Sequence, residues 1–302
     1  MTRDEYFNRI AGEFNPDLVH IDQEAIARLQ ISREHASLAA PSFPFGYIFP
    51  PEAGSTRAAR DVLHYLLAQT ALQYRFWEGE GESFRRYEFE GAVGSTGMMR
   101  AFDRAWGRGL QPSAELLQAI ESVDGVREVF RAIPDPASRQ RILTETFSPA
   151  AYVLCEQILE SILSEGKVTI AQAETIATSL PQAYGDPFLK KAMLFLGFAA
   201  SWLRGGMEVG DELAAYADYQ VPNVLRHFGV LVYSPQLADT VGSRLLLAKD
   251  GKEERAIRAA TVLACEEIAR TFGITSAEVD WWCFAQRKAP TLPFHLCETT
   301  CY

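Results

Sequence analysis

The chain has no uninterrupted apolar run near the roughly 20 residues that a helix needs to cross a bilayer, although 48% of its 302 residues are hydrophobic. No membrane span is expected. The opening stretch MTRDEYFNRI lacks a basic segment followed by an apolar core, so no secretory leader is expected either and the protein is read as soluble and cytoplasmic. Positive charge is in short supply. Lys and Arg total 29 against 39 Asp and Glu, a net charge of −10, which argues against direct nucleic-acid binding because Lys and Arg carry that binding by neutralising phosphates. A small substrate in a locally basic pocket stays compatible with this balance. No internal repeat and no low-complexity tract is found, so solenoids and disordered linkers are excluded.

Cysteine is sparse as well. The five residues Cys155, Cys265, Cys283, Cys297 and Cys301 are odd in number and scattered, so free thiols are expected. Cys297 and Cys301 lie close to His295, yet a closed metal site needs four ligands and no fourth stands nearby. Neither a metal nor an organic cofactor is expected.

What the chain does have is helical periodicity. Helix-like segments run near residues 3–12, 22–36, 56–76, 94–106, 113–131, 136–164, 169–179, 187–204, 222–230, 235–248, 252–272 and 276–287. Start and stop signals support several of them, including Asp186 before Pro187, Ser234 before Pro235, the Thr275 to Glu278 capping-box spacing, and Gly205 and Gly273 as ends. The alternating aromatic and charged residues of Glu82 to Glu90, flanked by glycines, suit a strand. The expected fold is all-α, mainly helical, with a small β-hairpin near residues 82–93, forming one compact unit over 1–302 divisible at most into two lobes. The proline-rich stretch from Pro41 to Pro51 reads as a buried or lid-like loop.

Three places carry candidate chemistry. The segment from Asp186 to Trp202 is apolar on nearly all sides except for Lys190 and Lys191 in its first turn, where the helix dipole opposes cations. A bound anion would explain at least one lysine; the plainer reading runs both stems along the core edge with their ammonium groups in water. Pro222 suits a helix start and pushes Val221 out of helical geometry, which leaves Asp218 in the turn before it. Such a carboxylate usually serves as a cap, but beside an apolar pocket it also suits N-glycosidic cleavage, where it would stabilise an oxocarbenium ion and direct water. Aromatic pairs at Phe76-Trp77 and Trp281-Trp282 offer rings that sandwich a nucleobase, though singly each is more often core.

The stretch Tyr216-Ala-Asp-Tyr-Gln-Val-Pro-Asn-Val-Leu-Arg-His-Phe-Gly-Val-Leu-Val-Tyr-Ser234 resembles the signature of the queuosine salvage, or queuosine 5′-phosphate N-glycosylase, family. Phe76-Trp77, Arg141-Ile-Leu143, Lys190-Lys-Ala192, Glu254 to Arg258, and Leu292-Pro-Phe-His295 with terminal Tyr302 match in the same order. The resemblance covers the chain from about residue 60 onward. It implies an all-helical fold related to helix-hairpin-helix DNA glycosylases, and hydrolysis of queuosine 5′-phosphate to queuine and ribose 5-phosphate without metal or cofactor. Asp218 falls on the family's active-site Asp, Lys190 on its motif lysine, and Tyr219, Phe76 and Trp77 on expected pocket positions. Thr70, Ala92-Val93, Leu296 and Glu298 depart from the pattern; the last two replace arginines, so no phosphate role is transferred to them. A helix-hairpin-helix base-excision glycosylase and a non-catalytic queuine or nucleobase binder are the alternative readings.

Overall fold

The structure, a computed structural model, describes residues 1–31, 56–204 and 207–302, so the Pro41 to Pro51 loop lies outside the described residues. The architecture is mainly helical, and every strand among the described residues is two or three residues long. The expected hairpin is present as two smaller ones. Trp77–Glu78 pairs antiparallel with Arg85–Arg86, and Glu88–Phe89 with Ala92–Val93.

Two helical segments divide where the sequence reading ran through. The 136–164 segment is Pro136–Thr146 followed by Pro149–Glu165. Ser148 caps the second helix through its side chain, and Pro149 begins it, because proline suits a first turn but not a helix interior. Likewise 113–131 splits into Ala114–Ala119 and Val123–Phe130, with Ser122 accepting from the Gly125 N–H as the new cap. The helix expected over 22–36 is Gln23–Arg28, ending at an extended Leu29.

Two large apolar clusters organise the chain. One gathers the helices Thr56–Ala71, Pro149–Glu165 and Lys190–Leu203. The other gathers Val221–His227, Lys252–Phe272 and Ser276–Ala285 with the strand pair Val19–Ile21 and Leu231–Tyr233. A third, small cluster of Trp77, Tyr219, Leu296, Cys297, Cys301 and Tyr302 packs under the C-terminal segment. In Lys190–Leu203 every residue except Ser201 and Trp202 is buried, as its all-round apolar sequence requires. Gly197 on that helix admits a close approach: a Cβ there would stand 2.1 Å from the Tyr216 hydroxyl. The residues before Asp218 therefore dock directly on the helix that begins with Lys190.

Candidate active site

Both lysines depart from the plainer expectation that their ammonium groups reach water. Lys190 is 5% exposed and Lys191 1%. The cause lies at the end of Thr56–Ala71, where a helix terminus leaves carbonyls without intrahelical partners at the negative end of its dipole. Lys191 Nζ donates to the Ala71 carbonyl at 2.9 Å and Lys190 Nζ to the Gln73 carbonyl at 2.9 Å. Buried Arg139 serves those of Leu72, Tyr74 and Arg75. The tension read from the sequence was real; its resolution is a neighbouring helix end.

Burial pushes Lys191 down to about 7 from its ordinary value. Burial also lowers Lys190, while the carboxylates of Asp218 and Asp280 act in the opposite sense. Only one bond from Lys190 Nζ to a described residue is formed, and an ammonium has three donors. Lys190 therefore keeps donor capacity toward the cavity it lines.

Asp218 is built from its own turn. Its Oδ1 accepts the N–H groups of Gln220 at 2.7 Å and Val221 at 3.1 Å, an arrangement that short acidic side chains favour before a helix. The following helix is Val221–His227, so Val221 is its first residue and Pro222 its second, one position earlier than proline's usual place at the first position predicts. Among the described residues, nothing bonds Asp218 Oδ2.

A buried ion pair joins the two candidate residues. Both oxygens of Asp186 meet Arg258, at 2.9 and 2.7 Å, and also accept the N–H groups of Phe188 and Lys190. Arg258 Nε in turn donates to the carbonyl of Ala217, the residue before Asp218. Burial alone would raise the Asp186 carboxyl, but the Arg258 charge and the N–H donors outweigh it and hold it below the usual range. One pair thus fixes the start of the Lys190 helix and the approach to Asp218.

These elements enclose a cavity of about 940 Å³. Asp218, Lys190, Tyr219 and Phe76 all line it. Trp77 is not among its described lining residues; it is 1% exposed and packs in the small C-terminal cluster. Of the tryptophan pair, Trp281 lines the cavity and stacks on Phe198 at 5.6 Å, whereas Trp282 packs against Phe228.

Sequence reasoning missed Asp280. This carboxyl also lines the cavity, is buried, and accepts the Tyr216 N–H at 2.8 Å. Burial and the nearby Asp218 charge push it well above the usual carboxylate range, against the Tyr216 N–H and Lys190, so it is held protonated at neutral pH. The signal was available, since Val279-Asp-Trp-Trp-Cys-Phe284 is an apolar run broken by one charge. Two acids and a lysine in one aromatic cavity, with the acids in unlike environments, suit acid–base work and stabilisation of a cation. Among the described residues no group of three or more metal-ligating side chains occurs.

The family model described as queuosine salvage protein matches residues 187–300, the segment that carries Lys190, Asp218, Arg258 and Asp280. The chain is 30% identical to the queuosine 5′-phosphate N-glycosylase/hydrolase of Sphaerobacter thermophilus, over 94% of this chain and 93% of that protein. It is 25% identical to the protein of the same name from Mus musculus, over 69% and 67% of the two chains. A Dictyostelium discoideum protein, also so named, is 30% identical over 36% of this chain and 37% of its own. With likeness to a relative spanning nearly the full length of both chains, this protein belongs to the queuosine salvage protein family.

Proposed function

We propose that the chain hydrolyses the N-glycosidic bond of queuosine 5′-phosphate, releasing queuine and ribose 5-phosphate so that queuine re-enters tRNA modification. It does so as a cytoplasmic enzyme that needs no metal or organic cofactor and binds no nucleic acid directly. The relatives' names support the reaction, and no helix among the described residues is long and apolar enough to cross a membrane. The observation that carries the reading is Asp218: one oxygen tied to two backbone N–H groups, the other unengaged, in an aromatic cavity beside buried Lys190.

In the reaction the C1′–N bond breaks, its electron pair leaves with the base, and the sugar carries the positive charge of an oxocarbenium ion. Asp218 stabilises that charge at close range in a low-dielectric cavity. Water then adds to C1′ and passes a proton to Asp218, while the departing base gains one. A 7-deazapurine lacks N7, so protonation at that atom is closed and another atom must receive the proton. Protonated Asp280 is the acid best placed to assist. Lys190 holds oxygens of the sugar as a compact cation, and Phe76, Tyr219 and Trp281 flank the base. Trp77 supports Tyr219 from behind.

The test is incubation of the purified protein, with and without EDTA, with queuosine 5′-phosphate and separately with queuosine, and mass detection of free queuine. Release from the nucleotide despite EDTA, abolished by Asp218→Asn, is expected. Release from neither substrate overturns the reading in favour of a queuine binder, and full turnover by Asp218→Asn removes Asp218 from the chemistry. A DNA glycosylase would instead shift duplex DNA in a gel at low salt.

A further inference from the structure

Beside the main cavity lies an outer cleft of about 210 Å³, and Arg86, Gln220 and Arg287 line both. The cleft's lining includes three arginines, Arg86, Arg244 and Arg287, and no carboxylate. That is unexpected in a chain whose net charge is −10. None of the three forms a salt bridge with a described residue, although many of the chain's other arginines do.

The arginines are held by aromatic rings instead of by acids. The Arg86 guanidinium lies 5.6 Å from the Phe294 ring centre and Arg244 5.1 Å from that of Phe84, and the two rings meet edge to face at 5.9 Å. Arg287 lies 4.1 Å from the Phe284 ring centre and spends one N–H on the Phe284 carbonyl at 2.8 Å. Burial and the facing charge of Arg86 both lower Arg287. Two guanidinium groups that repel across a cleft without an intervening acid form an anion site waiting for charge.

We propose that this cleft is a phosphomonoester subsite, in which Arg86 and Arg287, backed by Arg244, hold the terminal phosphate of a substrate whose ribose lies at Asp218. The proposal rests on the nucleotide reading above and adds the residues that read its phosphate. Gln220 supplies the geometry: it lines both spaces, and its backbone N–H is bonded to Asp218. A ribose seated at Asp218 with its base inside the cavity directs C5′ toward that shared wall. Lys190, buried below and bonded to Gln73, then meets the sugar and leaves the phosphate to the arginines, whose planar forks engage two oxygens at once.

The experiment uses the full chain with Arg86→Ala, Arg287→Ala, their double variant, and Arg104→Ala as an exposed control that removes one positive charge elsewhere. Calorimetric binding of ribose 5-phosphate is compared with that of ribose, and the ratio of kcat/KM for nucleotide over nucleoside is measured. Each cleft substitution is expected to weaken ribose 5-phosphate and to lower the ratio by about 10- to 100-fold, the value of a charge-assisted hydrogen bond. Arg104→Ala is expected to change neither. Wild-type protein that binds ribose 5-phosphate no better than ribose overturns the subsite, and so does a double variant that retains the wild-type affinity or ratio. If the wild type cleaves neither substrate, the reaction fails while the binding series still decides the subsite.

Discussion

Replacing Asp186 with Asn tests whether the buried pair with Arg258 both holds the fold and aligns the site. Asp186 and Arg258 are each about 1% exposed, and the carboxylate accepts two guanidinium and two backbone N–H bonds. An amide keeps one acceptor and turns an NH2 toward donors, leaving Arg258 with Glu254 at 3.6 Å as its remaining acid. Breaking such a pair costs about 3–5 kcal/mol. With an unfolding entropy of about 2.1 cal/mol/K per residue over 302 residues, the melting temperature should fall by about 5–8 °C. Because the Asp186 carboxyl is held below its ordinary range, the pair's contribution is present above about pH 4 and lost as pH falls through the lower folded value. The assay is thermal and urea unfolding of wild type, Asp186→Asn and the double variant Asp186→Leu/Arg258→Met, each with kcat measured. The apolar double variant should recover much of the stability, since well-packed apolar replacements of buried pairs are often neutral. Its kcat should stay low, because the link from Arg258 to the Ala217 carbonyl is gone. A loss below about 1 kcal/mol in Asp186→Asn, or full kcat in the double variant, would refute the reasoning.

Asp280→Asn keeps an acceptor for the Tyr216 N–H but removes a carboxyl whose folded value is raised. Wild-type stability from this group is present below the ordinary carboxylate range and lost as pH rises, so the variant should melt higher than wild type at pH 7 and lose that advantage near pH 4, while releasing queuine more slowly. Lys191, lowered to about 7, contributes stability above the ordinary lysine range that is lost as pH falls toward 7. Melting curves should therefore show wild type gaining on Lys191→Met between pH 7 and 10, and a constant gap would contradict the burial argument. Gly197→Ala drives a Cβ into the Tyr216 hydroxyl at 2.1 Å; overpacking of about 1–3 kcal/mol and a lower kcat are expected, against no change if that segment yields freely.

The sequence by itself determined what is encoded within a few residues. Caps, prolines and 3.6-residue spacing placed most helices, and Pro222 with the surrounding signature located Asp218 in its turn. Lys190 and Lys191 stood out because charge in an apolar run demands a partner. Where local signals competed, apolar spacing hid the Ser148-Pro149 break, although proline there starts a helix instead of continuing one. Only the tertiary structure decided who the partners are. The lysines meet the carbonyl end of Thr56–Ala71, about 120 residues away, and Asp186 meets Arg258 72 residues on. Trp77, placed at the pocket by its motif, instead packs beside the C-terminal segment. Asp280 gains its protonated character, and Arg86 and Arg287 their mutual repulsion, only when distant elements fold together. Desolvation and Coulomb interactions depend on distances through space, and a linear order of residues does not contain them.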